Sequence, residues 1–210
     1  MLIFGAEMTA SPGKGAALAG QVTALRDAAA AATGQDWWAW AVMAGRPYGT
    51  FLLSSRFDGR AALAAGQLAA ASHPDFQAVA GGEYGNLVTG PAVTTTSNVV
   101  AMTGEPGPPK SFITVTQAQM QGGRMADAMA WCGRVAEHAK AVTGVDTLLV
   151  TTATGPMFTV GFIGDVDTGE EIDAANEALA ADATYLGMLE EAGDPFIAGS
   201  AEQIVAMQMP

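Results

Sequence analysis

Positive charge is scarce in this sequence: 9 lysines and arginines stand against 21 aspartates and glutamates, a net charge of −12. Nucleic-acid binding needs clustered basic side chains to neutralise phosphates, so the composition excludes that class of partner. A single cysteine, Cys132, excludes an internal disulfide. The two histidines, His73 and His138, are too isolated to suggest a metal site. No strand-to-helix turn has the glycine pattern of a nucleotide or phosphate loop, so the sequence predicts neither metal nor cofactor. No uncharged apolar run approaches the roughly 20 residues a membrane-spanning helix needs. The segment from Met1 to Glu7 has no basic start and too short an apolar stretch for a signal peptide. These absences predict a cytoplasmic protein that does not enter a membrane.

What the chain does contain is said twice. Shifted by 110 positions, Gly13 falls on Gly123 and Thr33-Gly34 on Thr143-Gly144, with Asp36 on Asp146. Gly45 meets Gly155 and Gly59 meets Gly169. Val99-Val100-Ala101-Met102 and Ile204-Val205-Ala206-Met207 close the two copies at a shift of 105, which places a deletion of about five residues in the last loop. A period this long is a whole folding unit rather than a solenoid module. The predicted division is a first repeat over 1–105, a Pro-rich linker over 106–110 and a second repeat over 111–210. Net charge divides as −2 for 1–105 and −10 for 106–210. The acidic half reads either as a solvated face or as a docking surface for a basic partner.

Each copy opens on an apolar strand, Leu2 to Met8 and Phe112 to Gln119. Helical stripes follow at three- and four-residue spacing: Leu18, Val22, Leu25, Ala29 and Ala32, then Met125, Met129, Cys132, Val135, Ala139 and Val142. Two strands come next, Asp36 to Ala44 and Tyr48 to Phe57, with second-copy counterparts near Thr147 to Ala153 and Phe158 to Val166. A second helix covers Arg60 to Ala71 in one copy and Glu170 to Glu190 in the other. Final strands lie near Asn98 to Met102 and Gln203 to Met209. The order β-α-β-β-α-β is the ferredoxin-like unit, whose antiparallel sheet carries helices on one face. Phe51, Leu53 and Phe57 make one strand face apolar while Leu52 and Tyr48 do the same for the other, so a second sheet is expected over the bare face. The predicted fold class is α+β: two ferredoxin-like repeats packed sheet to sheet as an intramolecular α/β barrel.

In this architecture, and in the His73-x-x-Phe76 segment after the second helix, the chain resembles the dimeric α/β-barrel superfamily. That group includes antibiotic-biosynthesis monooxygenases, NIPSNAP-type proteins, muconolactone isomerases, haem-degrading monooxygenases and chlorite dismutases. The resemblance implies a small-molecule protein, a cofactor-independent monooxygenase or isomerase acting on an aromatic or polyketide-like ligand. The haem-degrading branch places an asparagine on its first strand, where this chain has Glu7.

The copies differ most where a site would lie. Trp37, Trp38 and Trp40 stand on the second strand of the first copy, against Thr147, Leu148 and Val150 in the second. Alternation along a strand puts Trp38 and Trp40 on one face and Trp37 on the other. The tryptophans read as core bulk or as an aromatic wall for a planar ligand. The substrate-binding residues expected from this pattern are Trp38, Trp40, Tyr48 and Glu7. The catalytic candidates are His73, for proton exchange near neutral pH, and Arg56, for an anionic oxygen. At a constant shift their counterparts are Ala183 and Val166, so one site is expected, in the first copy. The alternative function is a non-catalytic assembly or interaction protein. The nearly charge-free helix Ala61 to Ala71 supports it, and would carry a homo-oligomer contact.

Overall fold

The structure is a computed structural model, and it describes every residue except Glu83. The first set of elements is β1 (Leu2–Thr9), α1 (Gly15–Thr33), β2 (Trp37–Ala44), β3 (Thr50–Phe57), α2 (Arg60–Ser72), α3 (Pro74–Ala80), α4 (Tyr84–Leu87) and β4 (Val93–Met102). The second set is β5 (Phe112–Gln119), α5 (Met125–Thr143), β6 (Thr147–Thr154), β7 (Thr159–Val166), α6 (Gly169–Ala181), α7 (Ala183–Glu191) and β8 (Glu202–Gln208). The strands close into an eight-stranded barrel in the order β1-β3-β2-β8-β5-β7-β6-β4. The last strand of each set therefore lies beside the second strand of the other.

Two compact units result, Met1–Ser97 with Ala206–Pro210, and Asn98–Val205. In the first unit β3 is the centre of an antiparallel trio, with Ala6 opposite Leu53 and Ala39 opposite Leu53 from the other side. The Met209 amide extends the sheet by donating to the Ala39 carbonyl. Helix α1 ends at Gly34, whose φ of 66° is the left-handed cap that glycine adopts without strain. Leu18, Val22 and Leu25 of its buried face pack with Ala6, Met8, Ala39, Phe51 and Leu53 into the core. In the second unit β7 takes the central place, with Thr116 and Leu149 both opposite Phe162. Its core gathers Met120, Ala128, Trp131, Cys132, Val135, Leu149 and Val160. Burial pushes the Cys132 thiol up to about 12, so it packs as an inert apolar group.

The correspondence between the copies is not constant. Helices α1 and α5, and strands β2 and β6, are 110 apart, but β3 and β7, and then α2 and α6, are 109 apart. One residue is missing from the turn between β6 and β7. Phe158 now stands where the first copy has Gly49, and it keeps the left-handed backbone, φ 63° against 83°. A bulky side chain there is strained. Phe158 is 42% exposed, so little burial offsets the strain. Phe158→Gly is expected to raise unfolding stability by about 1 kcal/mol, read from the urea midpoint.

The slipped register changes two counterparts. His73 matches Asp182 rather than Ala183, since each residue ends one helix and begins the next. Arg56 matches Asp165 rather than Val166. The second copy thus keeps ionisable groups at both places. Asp182 also breaks the single helix expected over Glu170 to Glu190. Its backbone is extended, and its side chain accepts the Tyr185 amide, which starts α7. Trp131, absent from the stripe expected on α5, is 8% exposed and belongs to the core, whereas Met125 is 43% exposed.

Candidate functional site

The expected site residues divide between the two faces of the β1-β3-β2 sheet. Register places Ile3 opposite Arg56, Gly5 opposite Ser54 and Glu7 opposite Leu52, with Trp38 opposite Ser54 and Trp40 opposite Leu52. Glu7, Trp38, Trp40 and Arg56 therefore share the face turned away from the helices of this unit. The Arg56 guanidinium lies 5.5 Å from the centre of the Trp38 ring. Trp40 is buried and its indole N–H donates to Ser54 Oγ at 2.9 Å. Glu7 Oε2 accepts from Arg46 Nε at 3.2 Å. Tyr48 sits in the turn before β3, fully exposed.

The opposite face tells a different story. Phe4, Ala6 and Met8 of β1, Trp37 of β2, and Leu53 and Phe57 of β3 form the floor of a cavity of about 320 Å³ within the first unit. Leu25 of α1 and Leu63, Gly66, Gln67, Ala70 and Ala71 of α2 form walls and roof. Phe76 and Ala80 of α3, with Tyr84 and Ala92, complete it. The volume lies in the range of small-molecule sites. Large side chains below and alanine or glycine above are what leave the space open. At Gly66 a Cβ atom would stand 3.0 Å from the Phe57 ring, so a larger residue there would make that ring give by a few tenths of an ångström.

Trp37 anchors the floor. Its ring meets Phe4 edge-on at 5.7 Å and Phe57 at 6.1 Å, and its indole N–H donates to Thr33 Oγ1 at 2.9 Å. Among the described residues no lining side chain is charged. The polar groups are Gln67 and the Tyr84 hydroxyl, which is buried and has no hydrogen-bond partner among the described residues. Burial pushes the Tyr84 phenol above its ordinary value, so it stays a neutral donor. A buried hydroxyl without a partner is costly, and a ligand acceptor placed there would satisfy it.

His73 is the second orphan: its Nδ1 is buried and unpartnered among the described residues. It joins α2 to α3, three residues after Ala70 and three before Phe76, both of which line the cavity. Of the six expected site residues, His73 alone lies on the helices that roof the cavity. Trp37, Phe4, Phe57, Phe76 and Tyr84 line it, and none of them is among the expected site residues. Strand parity is the signal that finds most of them, because Phe4 and Trp37 share a face with Leu53 and Phe57, the face that receives the α1 stripe.

The second copy uses the equivalent junction differently. His138 Nε2 and Asp182 Oδ1 are 2.8 Å apart, and the Tyr185 amide and His138 together hold the Asp182 carboxyl below its usual range. A depressed carboxyl contributes stability above its unfolded pKa and loses it as pH falls through the folded one. Acidification below about pH 4 is therefore expected to lower the thermal midpoint less in Asp182→Asn than in the wild type, as followed by circular dichroism. Among the described residues no group of three or more His, Cys, Asp or Glu side chains could hold a metal. Among them, too, no helix is long and apolar enough to cross a membrane.

The fold has solved counterparts. A proposed monooxygenase of Fusobacterium nucleatum is similar over 100% of this chain and 92% of its own, with a TM-score of 0.72 and 8% identity. An anthrone oxidase-like protein matches over 100% and 91%, with a TM-score of 0.69 and 14% identity. A haem-degrading enzyme of Listeria monocytogenes matches over 99% of both chains, with a TM-score of 0.55 and 10% identity. The chain has the duplicated ferredoxin-like barrel fold. Identities this low establish the fold and leave activity to the site itself. No protein-family model and no curated protein sequence matches the chain.

Proposed function

We propose that this chain binds a flat, uncharged aromatic molecule in the first-unit cavity and acts on it without a cofactor, as a monooxygenase or isomerase. The observation that carries the reading is the cavity: aromatic floor, alanine and glycine roof and, among the described residues, no charged lining and one buried hydroxyl without a partner. Burial of the ligand's apolar surface supplies the affinity, about 25 cal/mol per Å². The Tyr84 hydroxyl orients the ligand by donating to a carbonyl or phenolic oxygen. The anthrone oxidase-like protein that shares the fold suggests the probe substrate.

Anthrone fits this chemistry without added redox partners. A proton leaves its methylene carbon, and the resulting carbanion gives its electrons to dioxygen. The oxidised carbon bonds dioxygen as a hydroperoxide; loss of the second methylene proton then breaks the O–O bond, leaving one oxygen as the new carbonyl of anthraquinone and releasing the other, with both protons, as water. His73 is the residue we assign to proton transfer. Arg56, Glu7, Trp38 and Trp40 shape the other face of the same sheet.

Fluorescence titration with 1-aminoanthracene, a neutral three-ring probe, tests the binding. The expected result is saturable binding with quenching of tryptophan emission. Anthraquinone formation from anthrone, above the uncatalysed rate, tests the reaction. Absence of saturable binding by any flat aromatic would end this reading.

A second reading has one observation of its own. Beyond Arg60, α2 carries no charged side chain, and its Leu68 is 69% exposed. An assembly contact there would make Ala65→Glu with Ala69→Glu shift sedimentation toward the monomer.

A further inference from the structure

Equivalent positions on α1 and α5 make the same hydrogen bond with very different side chains. In the first unit Gln21 Nε2 donates to the Val79 carbonyl on α3. In the second, Trp131 Nε1 donates to the Met188 carbonyl on α7 at 2.7 Å. Gln21 and Trp131 are 110 apart, and Val79 and Met188 are 109 apart, the shifts that relate these helices. One position thus ties the first helix to the short third helix in both copies, once with a slender amide and once with an indole.

The indole reaches further than the amide. It meets Phe162 at a ring separation of 6.5 Å and Phe196 at 5.1 Å, edge-on in both cases. Phe162 is the β7 residue opposite Thr116, as Leu53 is the β3 residue opposite Ala6. Leu53 and Ala6 are cavity floor in the first unit. The Trp131 ring therefore rests on the residue equivalent to the floor of the first-unit cavity. A tryptophan at position 21 would point the same way, past Leu25, into the open space.

We infer that the second unit holds a closed copy of the ligand site with the Trp131 indole as its built-in occupant, and that Gln21 is the residue that keeps the first copy open. The inference rests on reading the first-unit cavity as a ligand site. It makes position 21 the determinant of whether a repeat binds, and it sets the stoichiometry at one ligand per chain. It also describes the occupant: a flat, fused-ring aromatic that packs edge-on against its neighbours, as the indole does.

The test is a 1-aminoanthracene titration of the full chain and four variants, with folding checked by far-ultraviolet circular dichroism. The wild type should take up one equivalent. Gln21→Trp and Gln21→Phe should weaken uptake, the tryptophan variant by at least about tenfold, because the side chain fills the space the probe needs. Gln21→Met, which loses the bond to Val79 but adds little bulk, should bind within about threefold of the wild type. Trp131→Gln should take up a second equivalent. A folded Gln21→Trp that binds like the wild type, or a folded Trp131→Gln that still binds one equivalent, overturns the inference and leaves the cavity reading standing. If Trp131→Gln does not fold, the two bulky variants at position 21 decide alone. A wild type that binds nothing ends the cavity reading and, with it, the inference that rests on it.

Discussion

Trp37→Leu is expected to weaken 1-aminoanthracene binding by about tenfold or more, while Trp38→Leu leaves it within about twofold. The two residues are neighbours on one strand, equally aromatic, and both partly exposed. They differ in the face they occupy. Trp37 lies under the helices, edge-on to Phe4 and Phe57, and lines the cavity. Trp38 lies on the other face, against Arg56. Leucine at 37 removes a flat wall and leaves Phe57 and Phe4 without their ring partner, so the floor loses both area and rigidity. Leucine at 38 removes a cation–π contact worth about 0.5–1 kcal/mol on the sheet face away from the cavity. The reverse outcome, a large loss in Trp38→Leu and none in Trp37→Leu, would move the ligand to the face of Glu7, Trp40 and Arg56. Tryptophan emission provides a second measure: quenching on binding should shrink in the Trp37 variant and persist in the Trp38 variant.

The repeat was legible because glycines and apolar stripes recur where the chain must turn or bury a face. Gly34 and Gly144 end their helices in the left-handed conformation, and both stand at the predicted places. The element order followed from the same punctuation. The single-residue deletion between β6 and β7 was hidden because Gly45 and Gly155, before it, and Gly59 and Gly169, after it, still coincide at a shift of 110. The helix starts show that the second coincidence is accidental, since α2 is capped by Gly59 and α6 by Thr168. The site was legible by parity alone. Three tryptophans close together draw attention to the pair that share a face, but the cavity lies where large side chains oppose small ones across layers. Gly66, Ala70 and Ala80 carry no chemistry in a sequence, and their contribution is the room they leave. Trp131 was missed for a related reason. Its neighbour Cys132 fits the stripe equally well, and spacing cannot show that the buried arc of α5 is wide enough to hold both.

His73→Asn is expected to lower anthrone turnover by about 10²-fold or more while leaving 1-aminoanthracene affinity within about twofold. The choice of asparagine follows from the second copy. At the equivalent junction Asp182 caps α7 by accepting the Tyr185 amide, so a short polar side chain is compatible with this backbone. The φ and ψ angles of the two residues agree, −84° and 123° for His73 against −86° and 109° for Asp182. Asparagine can cap α3 in the same manner, whereas His73 makes no side-chain capping bond. The variant thus removes the proton-transfer group and preserves, or improves, the helix junction beneath Ala70 and Phe76. A purely structural His73 would behave otherwise: asparagine would change the thermal midpoint and leave turnover per folded molecule alone. His73→Asp supplies the remaining contrast, because a carboxylate both caps the helix and accepts a proton. Partial recovery of turnover in His73→Asp over His73→Asn, at equal probe affinity, is the signature of a base at this position. Equal turnover in wild type and His73→Asn would remove His73 from the chemistry and leave Tyr84 and Gln67 as the polar groups lining the cavity.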